Sequence, residues 1–137
     1  MDRAIADYDR ALALNPRYVD AYVNRGSVWL RKKEFDRALA DYDRALTLQP
    51  GFAPALINRG LVFREKGETG KAIEDYSQAI SLSPDARVYL SRGDLYLKTG
   101  DVERAVKDYQ KACDLGSKEG CSKAFFPVQT LFPPPQR

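Results

Sequence analysis

The sequence of 137 residues contains no histidine and two cysteines. Without an imidazole, it cannot form a catalytic triad or dyad with a histidine base, or a metal site with histidine ligands. No apolar run approaches the roughly 20 residues needed to cross a bilayer, so we expect no membrane insertion. The opening residues MDRAIADYDR lack the apolar core of a signal peptide. We therefore expect a cytoplasmic protein, or an exported one if the sequence is a fragment that has lost its signal.

The sequence also lacks a large excess of either charge. Its 22 basic and 19 acidic residues are interspersed and leave a net charge of +3. This balance offers no strong attraction to nucleic acid. The sequence has no phosphate-binding loop and no cluster of metal ligands, and Asp41 and Asp43 lie two apart on a predicted helix, where they point in different directions. We therefore predict no enzymatic activity, no cofactor and no metal.

What the sequence does contain is a repeated heptad. ADYDRAL occurs at 6–12 and 40–46, and weaker copies follow as EDYSQAI at 74–80 and KDYQKAC at 107–113. The starting positions differ by 34, 34 and 33 residues. A fixed period of this length indicates a repeat protein.

Each repeat predicts two helices joined by a turn. In the first complete copy, VDAYVNRGSVWLRK and DRALADYDRALTL have apolar residues at helical spacing, and KKEF separates them. Pro50 ends the second helix, because proline cannot continue one. A mid-helix glycine costs up to about 1 kcal/mol relative to alanine, so glycines in register indicate close packing. The columns in register are Gly26, Gly60 and Gly93, then Ala38, Ala72 and Ala105, then Tyr42, Tyr76 and Tyr109.

These columns resemble the tetratricopeptide repeat over residues 1 to about 117. The residues that carry the resemblance in the first full copy are Tyr22, Gly26, Trp29, Ala38, Tyr42, Ala45 and Pro50. The resemblance implies an all-α, right-handed solenoid of helix-turn-helix repeats, with about three and a half repeats and a C-terminal capping segment. The predicted divisions are the second helix of an incomplete repeat at 1–16, full repeats at 17–50, 51–84 and 85–117, and a short capping helix with a Pro-rich apolar tail at 118–137.

The first copy of the heptad has no partner helix before it. Either the sequence is a fragment of a longer array, which is the interpretation we favour, or an unpaired helix exposes Ile5, Tyr8 and Leu12.

The resemblance also implies that the first helices line a concave groove that binds a peptide or partner protein. The predicted groove residues, on the helix face opposite the core, are Asp20, Asn24, Ser27, Arg31, Asn58, Leu61, Glu65, Arg87, Ser91, Asp94 and Lys98. The amides of Asn24 and Asn58 can both donate to and accept from an extended peptide backbone. The alternative interpretation is that both are ordinary polar surface residues.

An arginine stands before each glycine, at Arg25, Arg59 and Arg92, where the family usually has an apolar residue. An aspartate precedes each tyrosine, and these aspartates are Asp7, Asp41, Asp75 and Asp108. We predict Arg–Asp pairs between helices, either within one repeat or between neighbouring repeats. An arginine stripe for phosphate or RNA is the alternative, but the chain lacks the excess of positive charge that it needs.

Cys113 and Cys121 enclose seven residues. The stretch around them resembles the junction of Sel1-like repeats, in which cysteines at this spacing can bridge adjacent helices. The alternative, slightly favoured by the predicted cytosolic location, is two free thiols. The apolar tail beyond them either caps the last helix or occupies the groove of a neighbouring molecule.

The sequence therefore predicts a non-enzymatic scaffold that binds a peptide segment or partner protein in its groove. The alternative is a self-association module that forms a homo-oligomer through the N-terminal helix or the C-terminal tail.

Overall fold

A computed structural model describes residues 1–125, and these residues form eight α-helices and no strand. The helices are α1 (Asp2–Leu14), α2 (Val19–Arg31), α3 (Phe35–Leu48), α4 (Ala53–Glu65), α5 (Thr69–Leu82), α6 (Ala86–Lys98), α7 (Val102–Asp114) and α8 (Lys118–Phe125). The predicted roles of the Pro-rich tail fall on residues 126–137, outside the described part of the chain. The chain divides into two compact units, Met1–Leu82 and Ser83–Arg137.

The first unit contains two helix pairs, α2 with α3 and α4 with α5, and the additional helix α1, which packs on α2. Its core lies between the helices of each pair, where Ala38, Tyr42 and Ala45 of α3 are completely buried. On α1, Leu12 is buried, while Ile5 and Tyr8 are half-buried.

The turns inside the helix pairs require a left-handed backbone. Gly67 between α4 and α5 has φ +79°, and Gly100 between α6 and α7 has φ +86°. Glycine has no Cβ and adopts this conformation without steric cost. The turn between α2 and α3 instead has Lys33, at φ +61°, where a side chain is disfavoured.

The second unit contains α6, α7 and α8 within its described part. The Asp85 and Asp101 side chains accept hydrogen bonds from backbone amides at the starts of α6 and α7, which caps these helices. Leu97, Ala105 and Tyr109 form a core cluster, and Ala124 of α8 packs against it.

The helix α8 lies directly on α7. The Ser117 hydroxyl accepts a hydrogen bond from the Gly120 amide at 3.0 Å, which satisfies a donor in the first turn of α8. A Cβ at Gly120 would lie 2.8 Å from the Cβ of Ala112 and 2.9 Å from the amide nitrogen of Cys113. Glycine is therefore required there for the two helix backbones to approach.

The predicted fold class, an all-α solenoid of helical repeats, is confirmed by this succession of helix pairs.

None of the helices in residues 1–125 combines the length and the apolar character that a membrane span requires.

Candidate functional site

The arginine before each glycine binds the aspartate of its own repeat through two hydrogen bonds. Arg25 donates from Nε to Oδ2 of Asp41 at 2.9 Å and from Nη2 to Oδ1 at 2.6 Å. Arg59 and Asp75 form the same pair at 2.9 and 2.7 Å. In the second unit, Arg92 and Asp108 repeat these two distances. The pairing predicted from sequence is thus observed within each repeat.

In the first unit, the guanidinium groups of Arg25 and Arg59 also reach the preceding repeat. Arg25 Nη1 donates to Asp9 at 2.8 Å, and Arg59 Nη1 donates to Asp43 at 3.0 Å. Sequence reasoning assigned cross-repeat pairing to the Asp7–Asp41 column and missed Asp9 and Asp43. Both belong to the heptad ADYDRAL, whose identity between copies was the available signal.

Burial makes the two contacts of Arg25 unequal. The Asp41 side chain is 5% exposed, whereas the Asp9 side chain is 57% exposed. The hydrogen bond with Asp41 is the largest of several effects that raise the pKa of Arg25 above its usual range. A bidentate bond to a buried carboxylate holds the guanidinium plane in one orientation. In each repeat, Nε and Nη2 of the arginine therefore bind a buried aspartate and are not available to an external phosphate.

In the first unit, the predicted groove residues lie along the outward faces of α2 and α4. Asp20, Asn24, Arg31 and Glu65 are exposed, and Ser27, Asn58 and Leu61 are half-buried. The predicted residues of α2 and those of α4 are joined by a long hydrogen bond of 3.4 Å, which Asn58 Nδ2 donates to Ser27 Oγ. The structure therefore brings Ser27 of α2 and Asn58 of α4 into contact.

A chain of hydroxyl groups supports the Asn58 amide. The Ser27 hydroxyl lies 3.1 Å from the Tyr42 hydroxyl and 3.0 Å from the Val23 carbonyl oxygen, to which it donates. Burial raises the pKa of Tyr42, and its hydrogen bond with Ser27 partly opposes this effect. The phenol stays protonated at neutral pH, so an uncharged network holds Asn58.

In the second unit, the predicted residues of α6 make local contacts. Arg87 binds Asp85 at 3.3 Å, while Ser91 is half-buried and Lys98 is exposed. Asp94 accepts hydrogen bonds from the Tyr109 hydroxyl at 2.6 Å and from Lys123 Nζ of α8 at 3.0 Å. The charge of Asp94 is therefore neutralised within the unit. Sequence reasoning missed the contacts of Asp94 with Tyr109 and Lys123.

The two cysteines are bonded to each other. The disulfide joins Cys113 of α7 to Cys121 of α8, with the Cα atoms 4.5 Å apart. It ties the last described helix to the helix before it. Within residues 1–125, no group of three or more histidine, cysteine, aspartate or glutamate side chains is arranged to hold a metal ion.

Family models and solved structures both match this chain. Tetratricopeptide and TPR repeat models match residues 1–51, 60–100 and 86–116. A crystal structure of MamA has a TM-score of 0.77 and 32% sequence identity, over 87% of this chain and 67% of that one. The chain belongs to the tetratricopeptide repeat family. A second MamA crystal structure has a TM-score of 0.76 and 29% identity, over 99% of this chain and 69% of that one.

A further similar structure is YrrB, described as a TPR protein with an unusual peptide-binding site. Its TM-score is 0.81 at 22% identity, over 91% of this chain and 66% of that one. At this identity the likeness shows the fold alone. This chain spans about two thirds of the length of these solved relatives. No curated protein sequence matches at a significant level.

Membership of this family indicates a general kind of function. Tetratricopeptide repeat proteins are typically non-enzymatic scaffolds that bind proteins or peptides. All three matching models are of tetratricopeptide type. The Sel1-like resemblance around Cys113 and Cys121 stays a prediction.

Proposed function

We propose that this protein is a non-enzymatic scaffold that binds an extended peptide segment of a partner protein. The proposed site in the first unit is the outward face of α2 and α4. One observation carries the proposal: the Asn58 amide is held by Ser27 on the neighbouring helix, on the same face as the exposed Asn24. An amide held in place, as that of Asn58 is, binds a peptide backbone with little loss of side-chain freedom.

The chemistry of this face suits a peptide backbone. The side-chain carbonyl oxygens of Asn24 and Asn58 have no hydrogen-bond partner within residues 1–125, so they can accept from peptide amides, and their NH₂ groups can donate. Half-buried Leu61 offers apolar contact to a ligand side chain. Because Asp20 and Arg31 carry opposite charges, the face does not select a strongly acidic or basic peptide.

We propose the α6 residues Arg87, Ser91, Asp94 and Lys98 as contacts of the same kind in their own unit. Lys123 already binds Asp94, so a ligand there would meet the exposed Lys98 and Arg87 more readily.

The test begins with a phage-displayed library of random peptides, selected on the intact protein. A selected peptide is then titrated against the double variant Asn24→Ala, Asn58→Ala. We expect affinity to fall about tenfold or more, because each lost hydrogen bond contributes roughly 0.5–1.5 kcal/mol. The melting temperature should stay nearly unchanged.

The matched control is Gln78→Ala, which removes an exposed amide from the second helix α5. The affinity of the Gln78→Ala variant for the peptide should equal that of the wild type. Unchanged binding by the double asparagine variant would place the peptide site elsewhere.

Self-association is the second candidate function. The observation in its favour is Phe125 at the end of α8, which is 76% exposed. Aromatic side chains are enriched in protein–protein interfaces relative to the rest of the surface. Light scattering over a hundredfold range of protein concentration tests this candidate, because only self-association predicts a rising mass.

A further inference from the structure

The Tyr76 hydroxyl has no hydrogen-bond partner within residues 1–125. Both equivalent tyrosines have one. The Tyr42 hydroxyl lies 3.1 Å from the Ser27 hydroxyl, and in the second unit the Tyr109 hydroxyl donates to Asp94 at 2.6 Å. Tyr76 is only 2% exposed. Burying a polar group without a partner is unfavourable, and few buried polar groups in proteins lack one.

The residue at position 61 explains why Tyr76 differs. A Cβ at Gly60 would lie 2.8 Å from Cε1 of Tyr76, and the same distance separates the equivalent atoms of the α2–α3 pair. The Tyr76 hydroxyl is therefore directed at the residue after Gly60, where the α2–α3 pair has Ser27. In α4 this residue is Leu61, whose side chain neither donates nor accepts a hydrogen bond.

The oxygen of Tyr76 reaches the outward face of α4. Every side-chain nitrogen or oxygen atom that is fully buried within residues 1–125 has a hydrogen-bond partner. Because the Tyr76 hydroxyl has none, its oxygen keeps contact with solvent, beside half-buried Leu61. Arg64 and Glu65 are the charged residues with the largest electrostatic effect on Tyr76, and they bind each other at 3.5 Å. The partner of this hydroxyl therefore has to come from outside the described residues.

The surroundings of the hydroxyl define the chemistry of such a partner. Burial raises the pKa of Tyr76, so the phenol is protonated at neutral pH and can donate. Leu61 beside it offers apolar contact, and Asn58 lies one turn earlier on the same face of α4. Each residue of an extended peptide supplies a backbone carbonyl oxygen next to its own side chain. A peptide residue with an apolar side chain therefore matches both groups.

We propose that Tyr76 and Leu61 form a specificity subsite of the peptide-binding face of α2 and α4, an inference that rests on the proposed function. The Tyr76 hydroxyl donates to a backbone carbonyl oxygen of the bound peptide, and the apolar side chain of the same peptide residue packs on Leu61. The subsite fixes the register of the peptide and selects an apolar residue at one position. The asparagine amides alone do not select a sequence, because they bind any peptide backbone alike.

The test uses a peptide selected on the intact protein from the phage-displayed library. We expect the selected peptides to share an apolar residue at one position. Tyr76→Phe should weaken binding of such a peptide about three- to tenfold, because one hydrogen bond is lost. Its melting temperature at neutral pH should stay nearly unchanged, since the hydroxyl has no partner within residues 1–125. The control Tyr18→Phe removes the hydroxyl of an exposed tyrosine and should leave the affinity unchanged.

Two changes at Leu61 test whether the free hydroxyl is what binds. Leu61→Ser gives Tyr76 the kind of partner that Tyr42 has, so adding Tyr76→Phe should cause no further loss of affinity. Leu61→Ala removes apolar contact but leaves the hydroxyl without a partner, so adding Tyr76→Phe should still weaken binding about threefold or more.

A thioamide scan of the peptide locates the carbonyl group that accepts from Tyr76. Sulfur is a weaker hydrogen-bond acceptor than oxygen. A thioamide at the contacting residue should therefore weaken binding to the wild type more than binding to Tyr76→Phe. The contacting residue should be the one with the shared apolar side chain.

The outcomes separate this inference from the proposed function. If Asn24→Ala, Asn58→Ala weakens binding and Tyr76→Phe does not, the inference is overturned and the proposed function stands. Unchanged affinity in both variants, or the absence of any selected peptide, would overturn both. Equal losses from Tyr76→Phe in the Leu61→Ser and Leu61→Ala backgrounds would also overturn the inference, because the effect would not depend on a free hydroxyl.

Discussion

The backbone of Gly26 lies against the ring of Tyr42 so closely that a Cβ at Gly26 would be 2.8 Å from Cε1 of the ring. Gly60 and Tyr76 repeat this relationship at the same distance. Each tyrosine ring thus occupies the space that a side chain at the glycine would need. The glycine and tyrosine columns of the sequence are two sides of one contact, and this contact sets the spacing of each helix pair.

The first prediction concerns this contact. Gly60→Ala should lower the free energy of unfolding by about 1–3 kcal/mol, because the added methyl group overpacks a core that lacks room for it. The Tyr76 ring is almost completely buried and cannot move into solvent without loss of packing. Urea unfolding followed by circular dichroism measures the change.

Gly70→Ala is the matched control for Gly60→Ala. Gly70 also lies in a helix, but a Cβ there would have no neighbour within 4 Å. Alanine has the higher helix propensity, so the free energy of unfolding should stay the same or rise by up to about 1 kcal/mol. Equal destabilisation by both changes would contradict the packing argument.

The second prediction ranks the two aspartates bound to Arg59. The side chain of Asp75 is 4% exposed, and that of Asp43 is 60% exposed. Removing one partner of a buried pair leaves an uncompensated charge, so Asp75→Ala should cost about 3–5 kcal/mol of unfolding free energy. Asp43→Ala should cost less than about 1 kcal/mol, as is typical of exposed ion pairs.

A double-mutant cycle between Arg59 and Asp75 tests the coupling itself. The double variant with both changed to alanine should be less destabilised than the sum of the single variants, because neither charge is then left unpaired. Additive effects would show that the bidentate pair contributes no specific coupling. The charge swap Arg59→Asp with Asp75→Arg should partly rescue Arg59→Asp, since Asp75 is the partner within the repeat.

The repeat period made most of the fold predictable, because glycine, alanine and tyrosine recur at fixed positions and each column has one packing role. Contacts of long side chains were less predictable. A guanidinium on a flexible stem reaches several carboxylates, so sequence spacing did not distinguish Asp41 from Asp43 as the cross-repeat partner of Arg59. The position of α8 was also beyond periodic reasoning, since the contact of Lys123 with Asp94 occurs once and has no equivalent column.

The third prediction concerns alkaline pH. Burial raises the pKa of Tyr76 above its ordinary value of 10.0. The unfolded chain then loses this proton at lower pH than the folded chain does. The contribution of protonated Tyr76 to the free energy of unfolding is therefore complete below about pH 10. It is lost as the pH rises through the pKa of Tyr76 in the folded state.

Urea unfolding at pH values between 9 and about 11.5 measures this effect. Tyr76→Phe should lessen the loss of stability by up to about 1.4 kcal/mol per pH unit, the limit for one proton. Tyr18→Phe is the control, because it removes the hydroxyl group of an exposed tyrosine. Identical pH profiles for the wild type and Tyr76→Phe would exclude Tyr76 as a cause.

The last prediction concerns the attachment of α8 to α7. A helix of eight residues is too short to be stable by itself, so it depends on the Cys113–Cys121 bond and the contact at Gly120. Closing so short a loop stabilises by roughly 2–3 kcal/mol in the chain-entropy model. Reduction should therefore speed hydrogen exchange of the backbone amides at 118–125, and the exchange of α4 should stay unchanged. In the variant Cys113→Ala, Cys121→Ala, these amides should exchange quickly with or without reductant. Slow exchange of α8 in that variant would show that the Gly120 contact alone holds the helix.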